Sequence, residues 1–172
     1  NFSLDRAIEW SLKLRKPLLI FEALRCDYQW SSRRLHAFVI QGMANQAEHA
    51  ARYGHCYVPY VEPHFGAGSG LMLTLLQHAC VAVTDDFPCF FLPQMTAAVA
   101  RRSSVLMEAI DSNGLLPMRA TSDVFPTAYA FRRFLQKSLS DHLTQLPAAD
   151  PLANPAIPKG LALPACFQTQ WR

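Results

Sequence analysis

Short apolar runs alternate along this chain with longer stretches of helical apolar spacing. The clearest run is Val81-Ala82-Val83-Thr84-Asp85-Asp86-Phe87-Pro88, which is β-branched at its start and ends in two carboxylates, an aromatic ring and a proline. That pattern predicts a strand of a parallel sheet buried on both faces, with its polar ending at the carboxyl edge. A helical pattern precedes it over residues 71–79 and another follows over residues 91–102.

The same rhythm runs through the rest of the chain. Residues 4–15 predict an amphipathic helix, with Leu4, Ile8, Ser11 and Leu12 on one face and Ser3 as N-cap. Pro17 stops it, and Leu18-Leu19-Ile20-Phe21 follows as a strand. A helix that opens an α/β unit normally follows a strand, so the first strand of the sheet is expected to be missing or to lie upstream. Ser31 and Ser32 predict the start of a long helix carrying Leu35, Phe38, Val39, Gly42, Met43, Ala47 and Ala50 at helical spacing, with Gly54 past its end. Residues 56–58 predict a short strand, residues 59–70 a Pro- and Gly-rich loop, and residues 104–110 a further strand closed by a turn at Asp111-Ser112-Asn113-Gly114. A last helix is expected over residues 126–143. From residue 146 onward, Pro147, Pro151, Pro155, Pro158 and Pro164 predict an extended arm without regular structure. Trp171 and Phe167 in it are expected to be buried on a neighbouring surface, and removal of the arm is expected to leave the α/β unit folded.

Composition narrows the class without naming a chemistry. A chain of 172 residues with 51% hydrophobic and 17% charged residues is expected to form a globular domain with an ordinary core. A formal charge of +3 gives little reason to expect nucleic-acid binding by the isolated chain. No apolar run is long enough to span a bilayer, and no signal peptide is visible. The chain opens at Asn1 and not at methionine, so residues upstream are expected to have been removed. Cys26, Cys56, Cys80, Cys89 and Cys166 show no CxxC spacing, which points to reduced thiols and a cytoplasmic location, nuclear or organellar in a eukaryote.

Several motifs invite a chemical reading and each has a plainer one. Gly66-Ala67-Gly68-Ser69-Gly70 precedes a helix, where backbone N–H groups could hold a phosphate, but it lacks the P-loop lysine and reads better as a flexible turn. His55 and His64 have no partners at ligand spacing, and no nucleophile elbow occurs. Arg101-Arg102 and Arg132-Arg133 read as solvated helix faces. Asp85 and Asp86 are open to two readings: a cap on the following helix, or a ligand contact at the carboxyl edge where α/β pockets form.

The order of residues resembles the DNA photolyase/cryptochrome family. Asn1-Phe2-Ser3-Leu4 with Ala7-Ile8, then Lys16-Pro17-Leu18-Leu19-Ile20-Phe21, is similar to that family's opening helix and second strand. Arg34, Leu35, Phe38 and Gly42 resemble its next helix, and Val83-Thr84-Asp85 with Pro88 resembles the class II strand end. Ile110-Asp111-Ser112-Asn113, Leu116-Pro117, Ser122-Asp123 and Ala128-Tyr129-Ala130 with Arg132 resemble the class II stretch leading to the interdomain region.

The resemblance implies an N-terminal antenna domain for a deazaflavin or folate chromophore. It also implies that FAD and the light-driven repair of cyclobutane pyrimidine dimers belong to a C-terminal helical domain not contained in these residues. On this reading the chain is α/β, with a Rossmann-like open parallel sheet of about five strands and helices on both faces. Residues 1–145 form the antenna-type domain and residues 146–172 an extended Pro-rich interdomain linker. The expected chromophore contacts are Phe21, Glu22 and Ala23 after one strand and Asp85, Asp86 and Phe87 after the central one. The expected partners are the C-terminal FAD-binding domain and, through the full-length protein, DNA, with no membrane. Two alternatives stay open: a stand-alone nucleotide-binding module using the glycine loop, and a purely structural domain whose pocket is filled around Cys89-Phe90-Phe91.

Overall fold

A computed structural model describes residues 1–163, 165 and 167. Pro164, Cys166 and Trp171 lie outside the described residues. The chain runs α1 (Phe2–Leu14), β1 (Leu19–Leu24), α2 (Arg33–Arg52), β2 (Cys56–Val61), α3 (Leu71–Leu76), β3 (Val81–Asp85), α4 (Leu92–Ala100), β4 (Leu106–Ile110) and α5 (Ala128–Ser138). Among the described residues three 3₁₀ turns follow β4, at Met118–Ala120, Leu139–His142 and Pro151–Ala153.

The strands do not form the expected Rossmann-like sheet of five. Among the described residues they make two separate parallel pairs, β1 with β2 and β3 with β4. The register aligns Leu19 with Cys56 in one pair and Val81 with Leu106 in the other. β1 and β3 are not hydrogen-bonded to each other; a largely apolar cleft of about 820 Å³ lies between them. Local apolar runs specify strands, but lateral order depends on which backbone edges meet, and here β1 and β3 pair with β2 and β4 and not with each other.

The elements form for legible reasons, with local corrections. Asn1, not Ser3, caps α1, its side chain accepting from Leu4 N–H at 2.9 Å. Ser32 caps α2 and Thr127 caps α5. β2 runs on through Pro59 to Val61, past residue 59 where the loop is expected to start. Pro59 pairs opposite Glu22 on an edge strand, where a missing N–H is tolerated.

Alternation along β1 divides the core into two layers. Leu18 and Ile20 face a cluster with Ile8 of α1 and Ala50 of α2. Leu19 and Phe21 face the other side, toward Leu71 and Leu75 of α3 and Val58 and Tyr60 of β2. The Pro-rich segment after residue 146 contributes to both layers: Leu152 and Ile157 are 3% and 2% exposed in the first, and Phe167 is buried in the second. Asp150 anchors this segment by accepting from Tyr53 Oη at 2.8 Å and meeting His49 Nε2 at 3.0 Å. His55 Nε2 lies 3.1 Å from the Leu152 carbonyl.

Candidate functional site at the carboxyl edge

Parallel strands deliver their following loops to one edge, and here the loops after β1, β2 and β3 meet there. The loop after β1 carries Arg25, Tyr28 and Trp30; that after β2 carries Phe65; that after β3 carries Phe90 and Phe91. Trp30 and Phe90 stack with ring centroids 5.6 Å apart and planes 7° from parallel. Phe91 lies 4.7 Å from Phe90 and 5.9 Å from Tyr28, both tilted. The Arg25 guanidinium sits 5.3 Å from the Phe91 ring and 5.9 Å from that of Phe65. These separations fall within the usual range of aromatic and cation–π contact.

Three features set this cluster apart from ordinary packing. Trp30 is 72% exposed and Phe65 70% exposed, so large apolar rings face water where a folded chain would gain by covering them. Trp30 and Phe90 also hold left-handed backbone, with φ of 69° and 70°. Neither is glycine, so each conformation costs about 1–2 kcal/mol, a strain that collects at ligand-holding sites. His36, in the first turn of α2, packs against Tyr28 at 5.5 Å, and its Nε2 is buried without a hydrogen-bond partner among the described residues. A buried polar atom left in this way costs free energy until something bonds it.

The carboxylates expected at the site serve the scaffold. Asp85 accepts from Ser3 Oγ at 2.5 Å and from Asn1 Nδ2 at 3.4 Å, which ties the start of α1 to the end of β3. Asp86 donates its N–H to the Ile110 carbonyl at 2.8 Å, extending the β3–β4 ladder, and its carboxylate meets Arg119 at 3.0 Å. Glu22 points to the α1/α2 side, where it accepts from Tyr57 Oη and helps push that phenol well above its ordinary range, after burial. Phe21 and Ala23 line the cleft between β1 and β3, and Phe87 is exposed. The six positions therefore lie in different surroundings.

The glycine loop is organised by a carboxylate of the chain itself. Glu62, 8% exposed at the end of β2, accepts N–H groups from Cys26 at 3.2 Å, Gly66 at 3.0 Å and Gly68 at 3.4 Å. Burial works against its charge, yet these N–H groups prevail and hold its pKa below the usual carboxylate value. A Cβ at Gly68 would come within 3.2 Å of the Tyr60 ring, so a side chain there would require that ring to give by a few tenths of an ångström. Backbone donors that could have bound phosphate are thus already bound to an anion.

No family model and no curated protein sequence matches this chain. Among the described residues no helix is long and apolar enough to cross a membrane.

Of the bracket, the sequence reading named Phe90 and Phe91, as filling a pocket, and did not name Arg25, Tyr28, Trp30 or Phe65, which lie on loops past the strand ends. A signal was present in the sequence, since Tyr28-Gln29-Trp30 follows one strand and Phe90-Phe91 another.

Proposed function

We propose that this chain is an antenna-type α/β domain of the photolyase-like kind, which holds a planar chromophore, a deazaflavin or a folate, against the aromatic bracket at the carboxyl edge. The observation that carries this reading is the exposed Trp30–Phe90 stack on two left-handed backbones. The open face of Trp30 offers stacking area to a ring, Arg25 offers charge, and His36 Nε2 offers a polar contact. The bracket fits such a ligand better than the carboxylates do, because Asp85 and Asp86 are already bonded within the fold. When bound, the chromophore would supply light absorption; the residues here bind and orient it and carry no bond-making step. FAD and dimer repair belong, on this reading, to a C-terminal partner domain, and DNA is met only through the full-length protein. The free thiols of Cys26, Cys56, Cys80 and Cys89 suit a reducing compartment, the cytoplasm or a nuclear or organellar equivalent.

A purely structural domain is the second reading, favoured by the way Phe90, Phe91 and Tyr28 cover one another's faces. The test is to titrate a deazaflavin or a reduced folate into the purified chain while following tryptophan emission. Saturable quenching with either compound supports the antenna reading. No quenching by either supports the structural one.

A further inference from the structure

Cations in a folded chain are kept in water or given an anion, because taking a charge out of water is costly unless it is paired. Among the described residues every lysine is exposed, and so is every arginine but Arg6 and Arg25, which are half-buried. Arg6 follows the rule, meeting Glu108 at 2.7 Å and Glu9 at 2.8 Å. Arg25 does not, for no carboxylate of the described residues lies within ion-pair distance of it. Asp27, two residues on, is exposed, and Glu62 is taken up by N–H groups of Cys26, Gly66 and Gly68.

What holds Arg25 instead is apolar. Its guanidinium stands 5.3 Å from the Phe91 ring and 5.9 Å from the Phe65 ring, and Nη1 reaches Met95 Sδ at 4.0 Å. Ring faces and a thioether attract the charge and fix its place, but they are weak acceptors and leave its N–H groups to water or to a ligand. A planar fork of donors held in this way matches a carboxylate or a phosphate. Phe91 and then Phe90 link that fork to the Trp30 stack, through ring contacts of 4.7 Å and 5.6 Å.

We propose that Arg25 receives an oxyanion at the far end of the bracket's ligand, so that the site takes a planar ring with a tail ending in a carboxylate or a phosphate. The inference rests on the reading that a planar ring stacks at Trp30. Two rings link the fork to the stack, so the charge belongs at the end of the tail and not on the stacked ring. A neutral compound of the same shape would stack and leave Arg25 unpaired.

The test uses two pairs of compounds whose members differ in terminal charge: 5-deazariboflavin against its 5′-phosphate, and folate against the dimethyl ester of its glutamate. Titration calorimetry gives each affinity for wild type, Arg25→Gln and Arg25→Lys, with a thermal midpoint to show that each protein is folded. In wild type the anionic member of at least one pair should bind about tenfold more tightly than the neutral one, and the pair that shows it tells phosphate from carboxylate. Arg25→Gln should abolish that preference while holding the neutral compounds within about threefold of wild type. Arg25→Lys, which keeps the charge without the fork, should retain a preference of about threefold, and it decides alone if Arg25→Gln does not fold. Equal affinities within both pairs in wild type overturn the inference and leave the stacking reading standing. So does a preference that survives either substitution in full, which would put the anion elsewhere. Binding by none of the four compounds overturns both.

Discussion

Glu62 shows how one side chain can decide what a loop does. Its carboxylate gathers three N–H groups from two loops, so Glu62→Ala leaves those donors buried and unpaired. The expected cost is about 1.5–3 kcal/mol in urea unfolding, with faster proteolysis across residues 63–70; an unchanged midpoint would contradict this role. Phe90 works the other way, since its ring contacts are offset by its backbone strain. Phe90→Gly loses about 0.5–1.5 kcal/mol of ring contact and regains a similar amount at a φ that glycine accepts, so stability should shift by less than about 1 kcal/mol. On the antenna reading, deazaflavin affinity should nevertheless fall about tenfold, and a variant that unfolds early while binding normally would refute this division.

At the scale of elements, local pattern was a good guide to where helices and strands lie and a poor guide to how they associate. The run at residues 81–84 became β3, and Ser32 caps the long helix, because both depend on neighbours in sequence. Phe38 is 75% exposed despite its place on the apolar stripe of α2, since only Met43 and Ala50 of that helix reach the buried core. The Pro-rich segment was legible as irregular only in part, since it holds a 3₁₀ turn at Pro151–Ala153 and Ala165 and Phe167 are helical; its burial was not legible, because proline reports backbone geometry and says nothing of where Leu152 and Ile157 dock. Ile157→Ala should cost about 2–5 kcal/mol, as expected for a filled core position. A truncation at Pro147 should lower the thermal midpoint further, since it uncovers both core layers. Equal midpoints for the truncated and full chains would show that the segment only lies on the surface.

Across the molecule, the contact between the opening helix and the second sheet carries a pH signature. Arg6 donates from Nε to Glu108 on β4 at 2.7 Å, and Trp10 Nε1 donates at 2.9 Å. Hydrogen bonds from Arg6 and Trp10 hold the Glu108 carboxyl at about 2. A carboxyl that is more acidic folded than unfolded binds fewer protons when folded, so its contribution is fully present above about pH 4.5. It is lost as pH falls toward 2. Unfolding by urea from pH 6 to pH 2.5 should show stability falling with acid in the wild type, and Glu108→Gln should flatten part of that slope. Identical slopes would mean that Glu108 is no more acidic in the fold than out of it.

The lateral order of the strands was not legible from the chain, because no local feature records which sheet edges meet. The partners of the strand-end carboxylates were not legible for a related reason: Asp85 and Glu22 meet Ser3 and Tyr57, far away in sequence.

The most direct test of the central claim is a deazaflavin titration followed by tryptophan quenching in the wild type, Trp30→Ala and the double variant Asp85→Asn/Asp86→Asn. If the aromatic bracket holds the ring, wild type and double variant should bind within about threefold of each other, after allowance for the double variant's folded fraction. Trp30→Ala, read by deazaflavin fluorescence because its reporter is gone, should bind about tenfold more weakly. Binding that ignores Trp30 but collapses with the two aspartates would place the ligand at the strand ends and contradict the account.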